Sequence, residues 1–245
     1  MYGFFSSLLI KSEYMKKRRN NMFDFEAVSL PDYSKKEDIV NSVTHALGVP
    51  FAIAVITLCA IGCATYNLSA LGAFIVYGIT MIILYSCSAA YHALSPGFAK
   101  KVMRVVDHSV VFLLIAGSIT PFSLIAIRSV NNTLGIAVCV ISWAVTLIGM
   151  LMTFVNQEKF KVVQFILYIS MGFIILTGAK AVYTSSYEGK MSVIFMVAGG
   201  VAYLIGAALY GVGKKVRYFH SVFHIFILLG SVIHFIGFYK YVIRI

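Results

Sequence analysis

Seven stretches of the chain, each about 20 residues long, carry almost nothing but apolar side chains. They cover residues 43–65, 71–91, 106–127, 134–155, 162–183, 191–212 and 218–239. A helix of about 20 apolar residues crosses the hydrocarbon of a bilayer. The stretches are far longer than the roughly 9–11 residues of a barrel strand, and they lack strict alternation, so they read as helices. Their connections are short. The pattern predicts an all-α integral membrane protein: a seven-transmembrane helix bundle over residues 43–240, a polar tail at 1–42 and a short tail at 241–245.

Composition narrows the class. Of 245 residues, 60% are hydrophobic and 12% are charged, against about 25% charged in a soluble domain. That excludes an ordinary soluble protein, a disordered chain and a nucleic-acid-binding domain. The net charge of +11, in so apolar a chain, suits an anionic membrane surface. Cys59, Cys63, Cys87 and Cys139 all fall within apolar runs, where no disulfide framework is expected.

The basic residues set an orientation. Fifteen of the 20 Lys and Arg lie in the tail and in the loops after the second, fourth and sixth stretches. The positive-inside rule puts that side in the cytoplasm. The N-terminus is then cytoplasmic and, after seven crossings, the C-terminus is external. The apolar run at residues 4–10 has no basic residue before it and no evident cleavage site, so it does not read as a signal peptide. Asp32 to Lys36 can begin an amphipathic helix on the inner leaflet.

Ionisable residues within spans mark functional sites by default. Asp107 is the sole acid between Asp38 and Glu158, and the six histidines are His45, His92, His108, His220, His224 and His234. With the orientation above, all of these histidines but His234 share the cytoplasmic level with Asp107. His220 and His224 are four residues apart, so their imidazoles face the same way one turn apart and can hold one metal ion. A third ligand from another helix makes a three-His site with an open position, the catalytic zinc pattern. His92 is the best third ligand, with Ser88 one turn deeper on the same face. Asp107 can bind the metal, orient its water or accept that water's proton. The plainer reading is that a histidine in a span is hydrogen-bonded to a neighbour, and a lone His-x3-His pair is a weak motif.

Three motifs, in order, carry a resemblance. They are Asp38-x2-Asn41-x3-His45, Ser88-x3-His92 followed by Asp107, and His220-x3-His224. The stretch from Asp107-His108 to Gly117-Ser118-Ile119-Thr120-Pro121-Phe122 belongs with them. The sequence resembles the hemolysin III proteins, bacterial members of the progestin and adipoQ receptor superfamily, from about Asp38 to Tyr239. The family's first motif begins with Glu, so Asp38 is a departure that keeps the carboxylate and shortens its reach. The resemblance implies a seven-helix bundle with a cytoplasmic N-terminus in the bacterial plasma membrane. It implies zinc held by His92, His220 and His224, with Asp107 on the zinc-bound water and Ser88 nearby. It leaves the roles of Asp38, Asn41, His45, His108 and His234 open.

Two functions compete, with a third behind them. The first is a zinc-dependent intramembrane hydrolase, ceramidase-like, acting on a lipid amide or ester. Asp107 serves there as base and then as acid, and Ser88 assists. The second is a non-catalytic lipid sensor or membrane-homeostasis protein with structural zinc. A cytolysin or channel, as the family name suggests, fits less well, because the polar residues gather at one level and not along a continuous stripe. The expected partners are membrane lipids, including a lipid substrate, and no nucleic acid.

Overall fold

A reciprocal cap at Ser34 starts the first helix in the computed structural model, which describes Phe25 and residues 28–213 and 216–245. The Ser34 hydroxyl accepts from the Glu37 amide while the Glu37 carboxylate accepts from the Ser34 amide, at 3.3 and 2.9 Å. Two orphan donors are satisfied at once. Helix α1 (Lys35–Ala46) is amphipathic in an unusual sense. Its polar residues Glu37, Asn41 and His45, four apart, are buried, whereas Ile39, Val43 and Leu47 are 54, 54 and 60% exposed. The apolar stripe faces outward, as it does on a helix in lipid. The sequence pattern opened the first apolar stretch at Val43; the helix that leads into it begins eight residues earlier, at Lys35. The apolar helical run starts at Lys35 and continues to Tyr66.

After a step at Leu47, α2 (Gly48–Tyr66) follows. A Cβ on Gly48 would lie 2.3 Å from the Tyr85 ring. Glycine is needed there for α2 to close on α3 (Leu71–Ala93). Helix α4 (Phe98–Pro121) is the most enclosed of the spans. It also packs tightly on α3, since a Cβ on Gly117 would meet the Thr80 hydroxyl. Pro121 lacks an N–H and crowds the preceding turn; just beyond it the helix widens into a π turn, Phe122–Ile127, before a last turn at Arg128–Val130.

Helix α5 (Asn132–Ile174), capped by the Asn131 side chain, is broken at Asn156 (φ −166°, ψ 94°). The Asn156 side chain accepts from the Lys159 amide at 2.9 Å and so caps the second arm. The two arms fold back on each other. A Cβ on Gly149 would touch the Phe112 ring, and the Tyr168 ring stands 4.2 Å from that same ring. A straight helix would hold positions 149 and 168 about 30 Å apart. Next come α6 (Leu176–Ser185) and α7 (Tyr187–Gly213), then α8 (Phe219–Lys240) and a final turn, Val242–Arg244.

Six helical runs among the described residues are long and apolar enough to cross a membrane. The sequence pattern gave seven stretches; the difference is the run Asn132–Ser185, a single 54-residue helical stretch that contains the break at Asn156. Every element described here is helical, and the core follows α3 and α4 through Phe74, Tyr77, Met81, Phe112 and Phe122. All four cysteines are free. The run at residues 4–10, most of the remaining tail, and Lys214 and Lys215 lie outside the described residues.

Candidate metal centre

Three histidines from two helix ends converge. His92 comes from the last turn of α3, and His220 and His224 from the first two turns of α8. Their side chains are buried, at 2, 7 and 1% exposure, and one ring nitrogen of each lies within 4.8 Å of the others. The i, i+4 spacing supplies two of these nitrogens from one helix face. The third must come from a chain segment 128 residues away, and the nitrogens His92 Nε2 and His220 Nε2 are 3.2 Å apart.

Helix α1 orients two of the rings. Asp38 Oδ1 lies 3.0 Å from His92 Nδ1, and the second oxygen of Asp38 accepts from the Lys100 ammonium. The Asn41 carbonyl lies 3.1 Å from His224 Nδ1. Both partners are acceptors, so each Nδ1 carries the proton and each Nε2 is left with a lone pair. His45 stacks on His224, with centroids 3.5 Å apart and planes at 18°, and also meets the Tyr85 ring edge-on. Ser221 donates to the Asn41 side chain, which fixes α1 to α8. The Glu37 carboxylate accepts from the Tyr218 amide just before α8. Tyr218 is in the left-handed region (φ 62°), where the chain turns into that helix.

An irregular segment roofs the triad. The Tyr33 ring stacks on His220 at 5.2 Å and lies 5.8 Å from His92. Burial pushes the Tyr33 phenol above its ordinary value; Tyr210, Asp38 and Asp107 add to the rise and Arg104 opposes it. Arg104 donates to the Ser29 carbonyl and to Glu158, at 3.2 Å for the latter.

The structure brings together His92, His220 and His224 of the residues singled out in the sequence. Ser88 is buried on the His92 face of α3, and its hydroxyl has no hydrogen-bond partner among the described residues. Asp107 is not among the converging ligand atoms; its carboxylate lies 4.0 Å from His108 Nδ1. His108 bonds the Arg104 carbonyl and Tyr210, and His234 bonds the Met196 carbonyl. Sequence reasoning gave no role to Asp38, Asn41, His45 or Lys100. The first three sit three and then four residues apart, on one face of α1, and that periodicity is a signal. For Lys100 no local signal exists.

Three buried imidazoles with two outer nitrogens already held by acceptors suit a divalent cation. Neutral histidine is the commonest metal ligand, and its second nitrogen usually has such a partner. A cation also relieves the close approach of His92 and His220, where otherwise one Nε2 must carry a proton toward the other.

Known proteins match this chain over most of its length. The sequence model of a family described as haemolysin-III related matches residues 33–235, which spans α1 and all three histidine ligand positions. The chain is 30% identical over 200 residues to the hemolysin-3 homolog of Bacillus subtilis (strain 168), covering 81% of this chain and 91% of that protein. It is 32% identical over 201 residues to hemolysin-3 of Bacillus cereus, with 82 and 89% covered. It is 25% identical over 179 residues to the human monocyte to macrophage differentiation factor, with 69 and 70% covered.

Proposed function

The chain belongs to the haemolysin-III family and is a multi-pass membrane protein, and from that premise we propose that it is a zinc-dependent intramembrane hydrolase of a lipid amide or ester. One observation carries the reading: three buried imidazole nitrogens converge within 4.8 Å, inside a bundle of apolar helices. Three histidines leave the fourth position of a tetrahedral ion open, the arrangement of catalytic zinc sites. Zinc bound there supplies a Lewis acid that acidifies water and polarises a carbonyl.

The chain's own residues do the rest. His92, His220 and His224 hold the ion. Asp107, outside the ligand set, is free to accept the proton of the attacking water and pass it to the departing amine or alkoxide. The Ser88 hydroxyl, buried without a partner among the described residues, hydrogen-bonds a reacting oxygen. A lipid substrate enters sideways between helices, since the apolar flanks of α1 and α5 face outward.

The reading extends to topology. The fold-back at Asn156 supports counting Asn132–Ser185 as two crossings, for seven in all. The excess of Lys and Arg at the tail and at the even-numbered turns supports a cytoplasmic N-terminus, an external C-terminus and a plasma-membrane location. The triad then lies at the inner leaflet.

Purified protein incubated with a mixed lipid extract should release a product that disappears on chelation and returns with zinc. A product formed equally in chelator refutes the hydrolase. A second reading, a lipid sensor with structural zinc, is favoured by one feature: the triad and its partners join α1, α3, α4 and α8 at one point, as a structural ion would. Zinc present with no zinc-dependent product in the same extract would select it.

A further inference from the structure

We infer that Asp38 is a positioning residue for the metal site: it fixes His92 as an Nε2 ligand and raises that ligand's basicity. The inference rests on the metal reading above and assigns a job to a side chain outside the ligand set.

The geometry is specific. Asp38 presents one oxygen to His92 Nδ1 at 3.0 Å and the other to Lys100. The His92 side chain is fully enclosed and that of Lys100 nearly so, with Asp38 at 16%. The carboxylate is therefore clamped between a cation and an imidazole from two different helices, α4 and α3. A carboxylate can only accept when ionised, so the His92 nitrogen facing it carries the proton. The opposite nitrogen then bears the lone pair and points toward His220, 3.2 Å away. A carboxylate partner also draws on the N–H and makes the far nitrogen a stronger donor to a cation.

His224 gives a control within the same site. Its Nδ1 faces the neutral Asn41 carbonyl at 3.1 Å, which fixes the tautomer without the charge. His92 is the ligand from the distant helix α3, and it alone of the three is held by a charged side chain among the hydrogen bonds described for the triad. A ligand that must be brought in from another helix gains most from a rigid second attachment.

The test is zinc affinity per folded molecule, measured on the full-length protein in lipid nanodiscs against a competing chelator. Melting of the zinc-free protein is recorded alongside. Asp38→Leu should bind zinc about 10- to 100-fold more weakly, the usual cost of losing such a partner. Asp38→Asn, whose oxygen still accepts but is uncharged, should fall between that variant and the wild type. Asp38→Glu should restore affinity to within a few-fold. If Asp38→Leu fails to fold, Asp38→Asn decides. Wild-type affinity in the decisive variant, with or without a lower melting temperature, overturns the inference and leaves Asp38 as a structural latch for Lys100. Absence of zinc from the wild-type protein overturns the metal reading itself, and with it this inference.

Discussion

The two ends of α8 each bury histidine, and they use it in opposite ways. At the first end, His220 and His224 turn nitrogens toward His92, while α1 occupies the outer side of His224. Ten residues on, His234 is as buried as His224, at 1% each. Its Nε2 donates to the Met196 carbonyl at 3.0 Å, and its ring is wedged against Gly199 and Tyr203. Below it, Ser231 gathers the hydroxyls of Tyr85 and Tyr203. Burial alone therefore says little about a histidine's role. What distinguishes the first end is that one nitrogen of each histidine there converges with one of His92.

Removing a ligand histidine should erase the difference between the two ends of α8. One zinc per chain should co-purify, and His220→Ala or His224→Ala should lose it, because two imidazoles do not make a stable tetrahedral site. His234→Ala should retain full zinc and only melt earlier. Elemental analysis of the three variants checks this. Full occupancy in His224→Ala would refute the triad.

The next effect separates holding zinc from using it. Asp107→Asn keeps the shape of a side chain that lies outside the ligand set. Turnover per bound zinc should drop by about 10²-fold or more if Asp107 is the base, with zinc content reduced at most in part. Normal turnover per zinc eliminates Asp107 from the chemistry and leaves the triad standing.

Much of this contrast was legible in the sequence, and the failures have physical causes. The i, i+4 pair and the position of His92 at a helix end were readable because a helix's periodicity is local. The inward turn of α1 was not. Polar residues such as Glu37 and Asn41 ordinarily face water, so a polar segment next to a span reads as a tail. Here they face the bundle, and Ile39 and Val43 face out. In a membrane the usual inside-out rule is weakened, since lipid accepts the apolar face and the polar face seeks partners within the protein. The bond from Asp38 to His92 joins positions 54 residues apart, and no local pattern encodes it. The polar run at residues 156–161 marks where the helix breaks, but the break itself takes a single non-helical residue, Asn156, and one such residue leaves no stretch long enough to read as a loop.

A smaller effect concerns the second end. Gly199 lets α7 approach α8, since a Cβ there would lie 2.1 Å from the His234 ring and 3.0 Å from the Gly230 carbonyl. Gly199→Ala must displace the ring or separate the helices, at a cost of about 1–3 kcal/mol. Thermal unfolding should move down while zinc affinity stays put. A loss of zinc would mean that the packing of α7 sets the position of the triad.

The smallest effect tests whether the two ends are independent at all. Tyr85 donates to Ser231 at 2.8 Å, and Tyr203 lies 2.9 Å from the same hydroxyl. Tyr85 also touches His45, which stacks on His224. The two ends of α8 are thus joined through one ring. Ser231→Ala removes the shared hydroxyl but leaves the Ser231 carbonyl, which accepts from Tyr77, and the helix itself. Hydrogen bonds between membrane helices average about 0.6 kcal/mol each, so losing these two should cost about 1 kcal/mol of stability. Both tyrosines would stay packed by their rings, and the Tyr85 ring edge would still support His45. Zinc affinity should therefore change by less than about twofold, read by the same chelator competition. A tenfold loss would show that the Tyr85 hydroxyl, and not its ring, transmits order from the outer cluster to the triad. The two ends would then be one site, and the distinction drawn between His224 and His234 would be one of degree.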